Sequence, residues 1–127
     1  MREAIFEELG PEPKGPYSPA IKTHGPMLYV SGQGPVDPAT GEFKLGRFGE
    51  QAILTLDNVG ALLKSGGSSW KSVVKVSAFL SDLENFSEFN RIYKNYLEEP
   101  YPARTTVQAG LGLIAIEVDC IALIEDQ

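Results

Sequence analysis

Near the C-terminal end the residues alternate: Ile114, Ile116, Val118, Cys120, Ala122 and Ile124 are interleaved with Ala115, Glu117, Asp119, Ile121 and Leu123. A period of two is that of a strand, so the first set lies on one face and both carboxylates on the other. Over Phe48 to Lys64 the pattern changes, with Ala52, Leu56, Val59 and Leu63 recurring at steps of four, three and four before Gly66-Gly67. That spacing predicts an amphipathic helix of about four to five turns, stopped by glycine. The run Val73 to Leu80 is short and β-branched, which predicts a strand. Phe86, Phe89, Tyr93, Tyr96 and Leu97 return to helical spacing, with Ser81, Asp82 or Asn85 available as caps.

Nearer the start, Ala20-Ile21-Lys22-Thr23 and Met27-Leu28-Tyr29-Val30 flank His24-Gly25-Pro26 and predict a hairpin. The Gly- and Pro-rich stretch from Gly32 to Gly46 predicts a surface loop. Gly110-Leu111-Gly112 is expected to turn the chain between a strand holding Arg104 and the last strand. The order is therefore β-β-α-β-α-β-β, with an added strand at Ala4 to Phe6. It implies a two-layer α/β sandwich, a mixed sheet with both helices on one face. The uncovered face then carries Ala115, Ile121 and Leu123 beside Glu117 and Asp119, a mixture suited to a subunit interface rather than to water. This pattern implies a homo-oligomer without giving its order.

Composition narrows the function. A chain of 127 residues that is 43% hydrophobic predicts one domain over 1–127. A formal charge of −6 argues against a duplex nucleic-acid binder, which needs Lys and Arg against phosphates. No apolar stretch approaches the roughly 18 residues of a membrane span, and Arg2, Glu3, Glu7 and Glu8 do not read as a signal peptide. The chain reads as soluble and cytoplasmic. One cysteine, Cys120, and one histidine, His24, leave no internal disulfide and no zinc cluster, so neither metal nor cofactor is expected.

Three short segments carry candidate chemistry: Gly15-Pro16-Tyr17-Ser18-Pro19, Pro102-Ala103-Arg104-Thr105 and Ile116-Glu117-Val118-Asp119. Arg104 can grip a carboxylate with two parallel donors, Glu117 can hold a water or accept a proton, and Tyr17 offers an aromatic wall with a hydroxyl. Each has a plainer alternative. Arg104 and Glu117 would pair across a hairpin; Tyr17 would pack a turn between prolines. Asn90, a poor helix former, would bond backbone or a neighbouring loop. Cys120 reads as a small core residue and His24 as a turn residue. Ser31 is no nucleophile elbow, because a loop follows it, and Gly32 with Gly34 makes no dinucleotide fingerprint.

Taken together, Gly15-Pro16-Tyr17-Ser18-Pro19-Ala20, Val30-Ser31-Gly32-Gln33, Asp37-Pro38-Ala39-Thr40-Gly41, Phe89-Asn90-Arg91-Ile92-Tyr93, Pro102-Ala103-Arg104-Thr105 and Ile116-Glu117-Val118-Asp119-Cys120-Ile121-Ala122 resemble the RidA (YjgF-type) reactive-intermediate deaminases over essentially the whole length. The resemblance implies a chorismate-mutase-like fold, a homotrimer and sites in the clefts between subunits. It implies hydrolysis of enamines and imines such as 2-aminoacrylate, 2-iminopropanoate and 2-iminobutanoate to 2-oxo acids and ammonia, without a cofactor. Position by position, Arg104 would bind the substrate carboxylate and Glu117 would hold or activate water. Tyr17, Ser31, Gly32 and Thr106 would line the pocket, with Asn90 in support. Thr106 stands where many members have cysteine, so a thiol is not essential. The links from Asn90 to Arg104 and from Arg104 to Glu117 are shorter than usual, which bears on rim shape and substrate preference. The rival readings are a trimeric module that binds 2-oxo acids or related carboxylates without turnover, and a ribonuclease or chaperone-like role.

Overall fold

A computed structural model describes residues 1–125. The elements run β1 (Arg2–Ile5), β2 (Ala20–Thr23), β3 (Met27–Gln33), α1 (Phe48–Ser65), β4 (Val73–Leu80), α2 (Phe86–Tyr93), β5 (Ala103–Gln108) and β6 (Ile116–Leu123). A four-stranded mixed sheet has the order β3-β6-β4-β5, in which only β4 and β5 are parallel; β1 and β2 form a separate antiparallel pair.

The helices form where the apolar spacing places them. Glu50 reaches back to the Arg47 amide (3.0 Å) and closes the first turn of α1, while the Gly66 and Gly67 amides bond Leu62 and Lys64 carbonyls at its end. Its buried stripe, Ala52, Leu56, Val59 and Leu63, packs on the β-sheet residues Val76, Ala78, Leu80, Ile116, Val118, Cys120 and Ala122. Helix α2 adds Phe89, Ile92 and Tyr93 to the same core. Asp82 caps the short 3-10 turn Leu83–Asn85 that leads into α2. Tyr96 and Leu97 fall beyond the helix, and the Tyr96 hydroxyl bonds Asp57 (2.9 Å) on α1 instead.

Two expected pairings are corrected. The β2–β3 hairpin does not form. Instead β2 pairs with β1, while β3 pairs with β6 from Met27↔Leu123 to Gln33↔Val118. Gly25, at φ 132°, and Pro26, which has no N–H, break the ladder where the hairpin would begin. Nor do β5 and β6 form a hairpin, because β4 lies between them. A parallel β4–β5 pair needs a crossover, supplied by α2, which delivers β5 to the outer edge of β4. Residues 109–115 then return across the end of β4, where Ala109 bonds Leu80 and Ser81 bonds Ala115.

Candidate functional site

The register separates the two residues expected to work together. Arg104 pairs with Val76, which pairs with Cys120, and both partners are buried on the helix-covered face. Glu117 pairs with Phe79 on the opposite, open face. Paired residues of adjacent strands share a face, so Arg104 and Glu117 project to opposite sides of the sheet. Their backbones are also two strands and three residues apart, about 10 Å in each direction at ordinary strand spacings. The expected alternative of an ion pair between them is thereby ruled out within one chain.

Around Arg104 the chain builds an aromatic cluster. The Ser18 amide bonds the Pro102 carbonyl (3.1 Å) and its hydroxyl bonds the Tyr101 carbonyl, tying the Tyr17 segment to the residues that lead into β5. A methyl at Gly15 would lie 3.5 Å from the Tyr17 ring and 3.8 Å from Arg104 Nη2, so these three residues sit together. The Tyr17 hydroxyl accepts from the Lys14 amide (3.2 Å), so it braces a turn as well as standing beside Arg104. The guanidinium carbon of Arg104 lies 5.7, 5.4 and 5.0 Å from the ring centres of Phe86, Phe89 and Tyr93. These are cation–π distances.

The Arg104 side chain makes no hydrogen bond or ion pair among the described residues, and its Nη1 is buried. Burial lowers its pKa, partly offset by the neighbouring Tyr93 and Tyr17 phenols, yet an arginine starts high enough to stay charged. Asn90 Oδ1 and Thr106 Oγ1 are likewise buried without partners. The expectation that Asn90 bonds backbone or a loop is therefore corrected. Together with Gly15 and Pro16 it lines a shallow surface groove. Thr106, paired with buried Ala78, shares the face of Arg104.

The other candidate residues gather on the open face. Strand β3 bulges between Val30 and Gln33, which leaves Ser31 and Gly32 exposed. The Glu117 carboxylate lies so close over Gly32 that a methyl there would collide with Oε2. Asn58 of α1 donates to the carbonyls of Gly34 (3.2 Å) and Val36 (2.8 Å), holding the loop that follows the bulge. Gln51, also on α1, receives the Ala115 amide (2.8 Å) and donates to Gly46 (3.0 Å), fixing the entry to β6.

The candidate residues thus fall into two groups, Tyr17, Asn90, Arg104 and Thr106 on one side and Ser31, Gly32 and Glu117 on the other. Sequence reasoning passed over the structural supports. The spacing of Phe86, Phe89 and Tyr93 reads as a core stripe, and Ser18, Gln51 and Asn58 have no periodicity to mark them. Cys120 is buried as expected, and burial together with Asp119 pushes its thiol up to about 12, which leaves it inert. Among the described residues no group of His, Cys, Asp and Glu is placed to hold a metal.

Two helices on a mixed sheet define an α+β protein, and its half-buried arginine meets no carboxylate among the described residues. The sequence profile of the family described as Endoribonuclease L-PSP matches residues 7–124. The chain belongs to this family, that of the YjgF and RidA proteins. A RutC family protein of Pyrococcus horikoshii is 40% identical over 124 residues, covering 96% of this chain and 98% of that one. Reactive Intermediate Deaminase A, chloroplastic, of Arabidopsis thaliana is 41% identical over 123 residues, covering 95% of this chain and 65% of that one. The crystal structure of RidA from the Antarctic bacterium Psychrobacter sp. PAMC 21119 superimposes with a TM-score of 0.73 at 35% identity, over 96% of this chain and 99% of that one.

Proposed function

We propose that this protein hydrolyses reactive enamines and imines of small 2-amino acids, such as 2-aminoacrylate, 2-iminopropanoate and 2-iminobutanoate, to 2-oxo acids and ammonia. The observation that carries the reading is Arg104: a charged guanidinium, half-buried, with no anion among the described residues. Such a group favours a carboxylate supplied from outside. The name of the Arabidopsis relative supports the reaction class.

Opposite projection of Arg104 and Glu117 supports a site made by two copies of the chain. One copy supplies Arg104, Tyr17, Asn90 and Thr106; a neighbour supplies Glu117, Ser31 and Gly32. The open face that would meet the neighbour mixes Tyr29, Val107, Ile121 and Leu123 with Lys75, Glu117 and Asp119. We assign the assembly as a homotrimer, in keeping with the resemblance.

In the reaction Arg104 fixes the carboxylate, and with it the position of the imine carbon. An enamine first takes a proton at its terminal carbon and gives one up from nitrogen to become the imine. Water held by Glu117 then forms a C–O bond to the imine carbon as Glu117 accepts its proton. That proton passes to nitrogen, giving a carbinolamine; Glu117 then takes the hydroxyl proton and hands it to nitrogen as well, so the C–N bond breaks and ammonia leaves as the C–O bond becomes the oxo group. No electron acceptor or cofactor enters this balance. The ribonuclease role in the family's description finds less support here: the chain carries −6 formal charge and its sole histidine, His24, lies at the turn after β2.

The direct test couples threonine dehydratase to this protein and follows imine decay. Acceleration is expected, and decay at the uncatalysed rate overturns the proposal. Mixing tests the shared site: Arg104→Ala and Glu117→Gln chains, each inactive alone, should regain up to about a quarter of wild-type activity after joint refolding, since that fraction of sites receives both intact residues. No recovery would place both residues' roles within one chain or outside catalysis.

A further inference from the structure

We infer that the aromatic face of α2 is the mount of Arg104: Phe86, Phe89 and Tyr93 are positioning residues that hold the guanidinium in one pose without occupying the donors, Nε and Nη2, that are not buried. The inference rests on the carboxylate-binding reading of Arg104 and adds to it how the arginine is kept in place.

The protein contains its own control. Arg2 is also partly buried, and it is locked by backbone acceptors: its Nε donates to the Val73 carbonyl (2.7 Å) and its Nη2 to the Pro100 carbonyl (2.8 Å). Those donors are occupied in tying the N-terminal strand to the sheet. Arg104 has no such bonds among the described residues; what surrounds it is three rings, all within cation–π range.

The difference has a chemical use. A carboxylate or carbonyl would hold the guanidinium as firmly, but each would occupy N–H donors that a substrate needs, and a carboxylate would also cancel the charge. A ring face attracts the cation through its quadrupole and accepts none of the in-plane N–H bonds, so the donors other than the buried Nη1 stay available. Positions 86, 89 and 93 are at i, i+3 and i+7 of one helix, so a single face of α2 presents all three rings. Phe89 and Tyr93 are wholly buried and pack the core as well. Phe86 is 36% exposed, at the rim, and is free to serve the arginine more than the fold.

The test therefore uses Phe86, the most exposed of the three rings. Phe86→Leu should weaken 2-oxobutanoate binding, measured by calorimetry, about threefold to tenfold, the range of a rim cation–π contact, with the melting temperature unchanged. Phe86→Tyr, which restores a ring, should bind as wild type. In an Arg104→Lys background, whose compact ammonium does not stack as a plane, Phe86→Leu should have a smaller effect. A spectroscopic reading is independent of affinity: the Arg104 Nε–H proton resonance, displaced by ring currents in the wild type, should move toward the free-arginine position in Phe86→Leu. Unaltered binding and an unaltered resonance in Phe86→Leu would overturn the mount. If Arg104→Met itself left binding intact, the carboxylate reading would fall instead, so the two failures are distinguishable.

Discussion

The two half-sites are built on opposite strategies. Around Arg104 everything is tied down and largely apolar: rings from α2, the Ser18 clamp to Tyr101 and Pro102, and buried polar atoms of Asn90 and Thr106 without partners. Around Glu117 the surroundings are open, a bulged strand and a sheet face that the helices leave bare. The first arrangement suits binding, because desolvation strengthens a cation's hold on an incoming carboxylate. The second suits chemistry that needs water and a proton acceptor. Neither half contains the other's function. A single chain therefore carries a half-buried arginine set among rings and a carboxylate on an open sheet face, and the two point away from each other.

This contrast breaks most sharply at Glu117. Glu117→Gln should lower turnover by roughly a hundredfold to ten-thousandfold, the loss typical of general acid–base help, while 2-oxobutanoate binding survives. Equal loss of both would merge the two half-sites into one binding function and recast Glu117 as an orienter of Arg104. Arg104→Ala comes next, with imine hydrolysis falling on the order of a hundredfold or more, now with binding lost alongside turnover. Lysine should rescue it only in part, since a point charge lacks the fork. Near-wild-type kinetics in Arg104→Ala would remove the binding half altogether.

Gly32→Ala sharpens the comparison with a smaller change. Its methyl would displace the Glu117 carboxylate, so turnover should drop roughly tenfold with analogue binding kept, an effect of misplacing one catalytic group. Wild-type turnover in that variant would show that the Glu117 pose over Gly32 is not the working one. The smallest expected effect belongs to Cys120, which neither half uses. Burial, with Asp119 adding to it, pushes its thiol up to about 12 from an ordinary 9.0. A raised folded-state pKa contributes stability that is whole below the unfolded value and lost as pH climbs through the folded one. Denaturant midpoints should accordingly slip between pH 9 and 12 by less in Cys120→Ala than in the wild type, and iodoacetamide should label Cys120 only in the unfolded protein.

Much of the scaffold was legible from periodicity. The stripe from Ala52 to Leu63, the β-branched run from Val73 to Leu80 and the alternation around Glu117 each correspond to an observed element, with bounds shifted by at most a few residues. These signals are readable because burial on one face of a helix or strand imposes a local repeat. Pairing partners leave no such mark. The β2–β3 and β5–β6 hairpins were natural expectations from neighbours in sequence, but β2 pairs with β1 and β3 with β6, and β4 lies between β5 and β6.

The sequence by itself determined the family, the elements and the residue types available for carboxylate binding and proton transfer, since these depend on side-chain chemistry and short-range spacing. Only the tertiary structure decided that β4 lies between Arg104 and Glu117, that they face opposite ways, and that three rings rather than a carboxylate surround the arginine. The reason is physical. Which face of which strand a side chain occupies depends on long-range strand order, settled when α2 carries β5 across to the far edge of β4, and no local repeat encodes that choice.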